Sequence, residues 1–175
     1  MRRLVFPLSE TEDLSSLEAG QEILVEGVIY TARDSVHQLT SRGEGEWPFE
    51  LKGNAIYYCG PTPALPGFPL GSCGPTTSAR MDPYTPELYA GGLAATIGKG
   101  PRSRSVVDAL REFGGVYLAA YGGCGALYAS CVREAEVVAY RHLGPQAIFR
   151  VRVESFPVLV GVDSEGRSIF KGEFK

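Results

Sequence analysis

Between residues 93 and 132 β-branched or aromatic apolar runs alternate with helical patterns, and after 136 three more β-like runs follow with no helical pattern between them. That order constrains the fold more than any other feature. Alternating strands and helices call for a mainly parallel sheet covered by helices, and consecutive strands without a crossover call for antiparallel pairing. Strands are expected at 93–97, 116–120, 136–140, 148–154 and 158–162. A helix over 103–113 places Val106, Val107 and Leu110 on one face and ends at Gly114-Gly115, and another covers 125–132. Upstream, 22–32 and 55–58 read as strands, and Asp34 is positioned to cap a short helix over 35–40. The turn at 163–166 leads into 168–170 as a hairpin partner. The fold class expected is α/β: a mixed sheet with flanking helices and an antiparallel portion at its end. With 175 residues the chain suits one domain over 1–175.

The segment from 60 to 85 breaks this regularity. It is rich in Pro, Gly, Ser and Thr, and it is too long for a casual connection, so it is a candidate carrier of binding or catalytic groups. The chain's net charge of −3 gives no general attraction to nucleic acid or to an anionic membrane, so an anionic substrate must be met by local cations. The start, Met1-Arg2-Arg3-Leu4-Val5-Phe6-Pro7-Leu8, lacks the apolar run of a signal peptide, and no apolar run is long enough to span a bilayer. The expectation is a cytoplasmic protein. Its cysteines, Cys59, Cys73, Cys124 and Cys131, form no C-x-x-C pair and read as small apolar side chains rather than as a disulfide or cluster framework.

Two glycine patterns fail as nucleotide loops. Around Gly98-Lys99-Gly100 the upstream glycine, Gly92, is one residue too far, and Gly100 stands where a magnesium-binding hydroxyl belongs. Gly123-Cys124-Gly125 has Tyr128 in place of its third glycine and Arg141 where an acid would hold a ribose. Close strand-to-helix packing is the reading preferred for the second.

Three runs place cations and hydroxyls where a core does not need them. Ala32-Arg33-Asp34-Ser35-Val36-His37 turns from a strand into a helix. Gly74-Pro75-Thr76-Thr77-Ser78-Ala79-Arg80-Met81-Asp82 sets three hydroxyls before an arginine, and a helix starting there would carry Thr76 and Arg80 on one face. Gly98-Lys99-Gly100-Pro101-Arg102-Ser103 puts a cation between glycines after a strand. Backbone N–H groups, hydroxyls and a guanidinium fork together receive carboxylates well. Each run also has a structural reading: a surface ion pair at Arg33–Asp34, a helix cap at 76–78, a solvated charge at Lys99. Together Arg33, Arg80 and Lys99 carry enough charge to neutralise a small dianion.

Taken together, these runs resemble the class I fumarase family, to which L-tartrate dehydratases also belong. The likeness spans nearly the whole chain, and Ile56-Tyr57-Tyr58-Cys59-Gly60-Pro61, Tyr121-Gly122-Gly123 and Leu143-Gly144-Pro145-Gln146-Ala147-Ile148 add to it. The run from Gly74 to Asp82 is its most specific part. The resemblance is to the smaller, beta-type part of the family, and implies a swivelling β/β/α domain and reversible hydration of fumarate to malate. It further implies an alpha subunit carrying a [4Fe–4S] cluster as Lewis acid, a heterotetramer of the two subunits, and no cofactor held by this chain alone. Arg33, Arg80 and Lys99 match the carboxylate-binding cations and Thr76 the proposed base, with Asp34, His37 and Thr77 in support. L-tartrate or a methyl-substituted dicarboxylate is an alternative substrate, and a noncatalytic anion-binding module an alternative of another kind.

Overall fold

The computed structural model describes residues 1–10 and 12–171. Their elements in order are β1 (Arg2–Phe6), β2 (Glu22–Thr31), α1 (Asp34–Ser41), β3 (Ala55–Tyr57), α2 (Thr85–Ala90), β4 (Ala95–Gly98), α3 (Arg104–Phe113), β5 (Val116–Ala119), α4 (Gly125–Ser130), β6 (Val132–Ala139) and β7 (Ile148–Val162). Strands β2, β3, β4 and β5 are parallel neighbours in that order, and β7 runs antiparallel to both β5 and β2. That double pairing closes β2-β3-β4-β5-β7 into a five-stranded, barrel-like ring. Strand β1 adds to β2 in parallel, and β6 adds to β7 antiparallel. The fold is a mixed α/β arrangement with flanking helices, as its element order led one to expect.

Two apolar layers follow from the period-two alternation of the strands. Tyr57 of β3, Ile97 of β4, Leu118 of β5 and Ile23, Val25 and Ile29 of β2 fill the ring with Phe156 and Val158 of β7. Their neighbours Ile56, Tyr58, Tyr117 and Val162 face outward and are covered by Val36 of α1, Leu88 and Tyr89 of α2, and Val106, Val107 and Leu110 of α3. Helix α3 buries the face that its spacing marked, and Gly114 ends it in the left-handed conformation.

Several elements differ from the sequence reading, the strands among them because a distant partner decided them. Strand β1 was not foreseen; its Leu4 and Phe6 are buried through pairing with β2. The runs 148–154 and 158–162 are one strand of 15 residues, and Ser155, with φ of 52°, lies within it without ending it. Strand β6 begins at Val132, inside the stretch read as helix. Helix α2, which was not expected, begins at the last residue of the expected long loop. Of the hairpin partner at 168–170, the structure retains one antiparallel bridge, Val162 with Ser168.

Candidate active site

The four parallel strands of the ring end on the same side, and loops leave from each of their C-terminal ends, where open α/β sheets commonly bind ligands. Arg33 follows β2, Cys59 and Gly60 follow β3, Lys99 follows β4, and Tyr121 to Gly123 follow β5. The chain from 61 to 77 returns to this end. Thr76 N–H donates to the Tyr58 carbonyl at 2.7 Å, Lys99 N–H to the Thr76 carbonyl at 3.2 Å, and Ser78 N–H to the Lys99 carbonyl at 2.9 Å. Two of the three cation-bearing runs, far apart in sequence, are therefore stitched together by backbone hydrogen bonds.

Asp34 joins the remaining run to them. Its Oδ2 lies 3.4 Å from Arg80 Nη1, and its Oδ1 lies 3.9 Å from Arg33 Nε. Arg33 Nε and Asp34 Oδ1 are buried and make no hydrogen bond, so the Arg33 guanidinium keeps unused donor capacity. A Cβ on Gly60 would come within 2.8 Å of Arg33 Nη1, so only glycine lets the arginine lie across this strand end. A Cβ on Gly122 would meet Lys99 Cδ at 3.5 Å, which places the otherwise exposed lysine against the β5 loop. Three cations against one carboxylate leave this end of the ring positive, with room in its bonding for an anion.

Two local expectations are corrected. Asp34 does not cap α1: Arg33 is the capping position and makes no side-chain cap bond. The helix's Ser35 N–H instead donates to Gln146 Oε1 at 3.2 Å, from a residue more than a hundred positions away. Nor does a helix begin at Thr76. Residues Ser78–Met81 form a short 3₁₀ turn after Thr77, so Thr76 and Arg80 do not share an α-helical face. Thr76 Oγ1 donates to the Tyr58 carbonyl at 3.1 Å, leaving its lone pairs free, whereas Ser78 turns inward and bonds the Tyr117 hydroxyl at 3.0 Å. Thr77 is exposed and pairs with Lys99 through a parallel backbone bridge.

His37 packs into an aromatic cluster. It is fully buried among Trp47, Tyr58 and Tyr84, and neither ring nitrogen has a hydrogen-bond partner. Burial, with the Arg102 charge adding to it and Asp34 opposing, lowers its pKa to about 3. It is a neutral packing residue that seats α1 against Tyr58.

The residue that sequence reasoning passed over is Arg102, which is 2% exposed. Its guanidinium donates to Asp82 Oδ1 at 2.7 Å, Thr96 Oγ1 at 2.8 Å, Thr85 Oγ1 at 2.9 Å and the Tyr58 hydroxyl at 3.3 Å. Burial works against its charge, yet Tyr58, Asp82, Tyr89 and Tyr117 together raise its pKa above the ordinary value. Both ends of the ion pair stand in quoted runs, Asp82 closing one and Arg102 near the end of another. The pairing adds a buried side-chain tie to the backbone bonds that already join the two runs.

Of the four thiols, Cys59, Cys73 and Cys131 are buried and Cys124 is half-buried. Cys59 and Cys73 are buried in the ring interior, and their mutual hydrogen bond, aided by burial, holds the Cys59 thiol well above its usual pKa. Among the described residues no group of three or more His, Cys, Asp or Glu is arranged to hold a metal ion. Nor is any helix among them long and apolar enough to cross a membrane.

Comparison with known proteins gives a consistent picture. The family model described as fumarase C-terminus matches residues 4–173. A class I aerobic fumarate hydratase of Salmonella typhimurium is 38% identical over 172 residues, covering 94% of this chain and 30% of that protein. Fumarate hydratase 2 of Leishmania major is 34% identical over 165 residues, covering 91% of this chain and 29% of that protein. A protein of Methanocaldococcus jannaschii provisionally named L(+)-tartrate dehydratase subunit beta is 35% identical over 170 residues, covering 91% of this chain and 87% of that one. The chain thus spans about 30% of the fumarate hydratases that it matches and most of the tartrate dehydratase subunit.

Proposed function

Because the chain belongs to the fumarase C-terminus family, we infer that it is the substrate-clamping part of a hydro-lyase that adds and removes water across the double bond of a small dicarboxylate. The observation that carries this reading is the meeting of Arg33, Arg80, Lys99 and Thr76 at the C-terminal end of the parallel strands, with Asp34 between the two arginines. Fumarate is the substrate proposed first, since fumarate hydratases are among its relatives. L-tartrate is the second, because a relative of nearly this chain's own length bears that name.

A dicarboxylate needs two receptors, and the cations supply them. Arg33 and Arg80 each offer a planar fork to a carboxylate, and Lys99 adds a point charge on the neighbouring loop after β4. On binding, the substrate takes up the guanidinium donors that Asp34 leaves unused. Two anchored carboxylates fix the carbon skeleton between them, and so hold one C–H bond toward the Thr76 hydroxyl. An alcohol accepts a proton only after giving up its own; the half-buried Thr76 would pass that proton to solvent before substrate binds, and the cations at this strand end favour the loss. Thr76 is assigned as the proton-handling group, with Thr77 and Asp34 holding the loops that present it.

The departing hydroxyl needs a Lewis acid, which a [4Fe–4S] cluster supplies when bound, and this chain does not fit one. Cys59, Cys73 and Cys131 are buried at their places in the core, and the described residues offer no metal-binding group. The cluster is assigned to an alpha partner, in a cytoplasmic heterotetramer in which this chain is the swivelling domain. The test is to assay the chain alone and with a co-expressed alpha subunit, following malate dehydration and L-tartrate dehydration separately. Activity is expected only in the complex. Turnover by the isolated chain would refute the division of labour, and a complex inert on both substrates would refute the hydro-lyase reading.

A further inference from the structure

The loop from 61 to 73 presents two apolar side chains to solvent. Its ends are fastened by Thr62 N–H to the Ser72 carbonyl at 2.9 Å and Gly71 N–H to the Thr62 carbonyl at 3.2 Å. Cys73 N–H then donates to the Gly125 carbonyl at 3.2 Å, which ties the stem to the start of α4. At the tip, Phe68 N–H bonds the Leu65 carbonyl at 3.0 Å, with Pro66 and Gly67 as the central pair and Gly67 at φ of 85°. That is the signature of a type II turn, in which proline presets the first central position and glycine accepts the positive φ of the second. Leu65 and Phe68 flank it and are 68% and 65% exposed. A tip with no task beyond connection favours polar residues. Here two large apolar groups are held rigidly in water, the arrangement that lowers the entropy cost of an interface.

The loop stands at the end of the ring that carries the candidate site. It leaves the strand end at Gly60, on which Arg33 lies, and returns at Gly74, two residues before Thr76. Tyr121, in the next loop, and Leu127, on α4, are exposed at the same end. Resting on the function proposed above, we propose that the Leu65-Pro66-Gly67-Phe68 turn is the docking element for the cluster-bearing subunit, whose active-site face must meet this end of the ring. In the longer fumarate hydratases the matched stretch is 30% of the polypeptide, so a large remainder of those proteins is available to fill this role. A second copy of this chain is the poorer occupant, because a symmetric contact at this end would bring two sets of Arg33, Arg80 and Lys99 together.

The experiment uses the alpha subunit encoded in the same genome, recognised by its likeness to that remainder, and titrates it with this chain by calorimetry. Leu65→Ser combined with Phe68→Ser should weaken association on the order of 100-fold, as loss of two interface anchors does. Gly67→Ala, which removes no contact but strains the turn, should weaken it less. Val5→Ser, at a site 54% exposed on β1, should leave it unchanged. At saturating alpha subunit the double variant should regain wild-type kcat, and its melting temperature alone should match wild type, since both groups face water. An unchanged dissociation constant for the double variant would overturn the proposal. So would self-association of this chain that the same substitutions abolish, or absence of any wild-type complex. A complex that forms through this turn yet turns over neither malate nor L-tartrate would sustain the docking assignment and sink the proposed function alone.

Discussion

Arg102 Nε lies 2.7 Å from Asp82 Oδ1, and the other carboxylate oxygen of Asp82 accepts the Ser103 N–H at 2.6 Å. The pair locks the loop that carries Thr76 and Arg80 to the loop that carries Lys99, beneath the surface where a substrate would bind. Removing one member strands the other as a buried charge. Arg102→Met is therefore expected to cost about 3–5 kcal/mol of stability. Urea unfolding monitored by circular dichroism measures it, and an unchanged midpoint would show that the pair does not hold the loops.

Thr76→Val keeps the volume and removes the hydroxyl. In the complex with its alpha subunit, kcat should fall about 10²–10⁴-fold, the usual range for loss of a proton-transfer group, with a smaller change in KM. Its bond to the Tyr58 carbonyl is a single neutral one, so folding should lose only about 1 kcal/mol. Steady-state kinetics with unchanged kcat would reduce Thr76 to a loop residue.

Arg80 separates binding from folding. Its side chain is 45% exposed and meets Asp34 at 3.4 Å, so as an ion pair it adds at most about 1 kcal/mol to stability. As a carboxylate clamp its loss matters more. Arg80→Met should lower kcat/KM by roughly 2–5 kcal/mol, and Arg80→Lys, which keeps charge but not the fork, by less. Kinetics and melting temperature measured on the same proteins decide the matter: a fall in melting temperature with kcat/KM intact would assign Arg80 to the fold.

His37 predicts a pH dependence. Its folded pKa of about 3 lies below the unfolded value of about 6.5, so between those limits the unfolded chain binds a proton that the folded chain refuses. Stability from this residue is complete above about pH 6.5 and is lost as pH falls, by about 1.4 kcal/mol per unit. His37→Phe should flatten the loss between pH 6 and pH 4 by that slope, relative to wild type in urea unfolding. Parallel pH profiles for the two proteins would contradict the burial of a neutral imidazole.

The extent to which this protein was legible in its sequence depends on the range of the interaction. Local physics was enough for α3, whose apolar spacing and terminal glycines act within a few residues, and for β2 to β5, whose β-rich runs are bounded by turns. The cation-bearing runs were visible too, because Arg33, Arg80 and Lys99 are charges that a core does not require. Tertiary structure alone decided the rest. Strand β1 exists because β2 offers it an edge, and β7 continues past Ser155 because β2 pairs with it on both sides of that residue. Gln146, not Asp34, satisfies α1, since a cap needs only an acceptor within reach, from wherever the chain brings one. Arg102 and Asp82 become a buried pair only when two loops meet above the ring. A charge in a sequence carries no label of its burial, and what pairs it is set by the closed sheet.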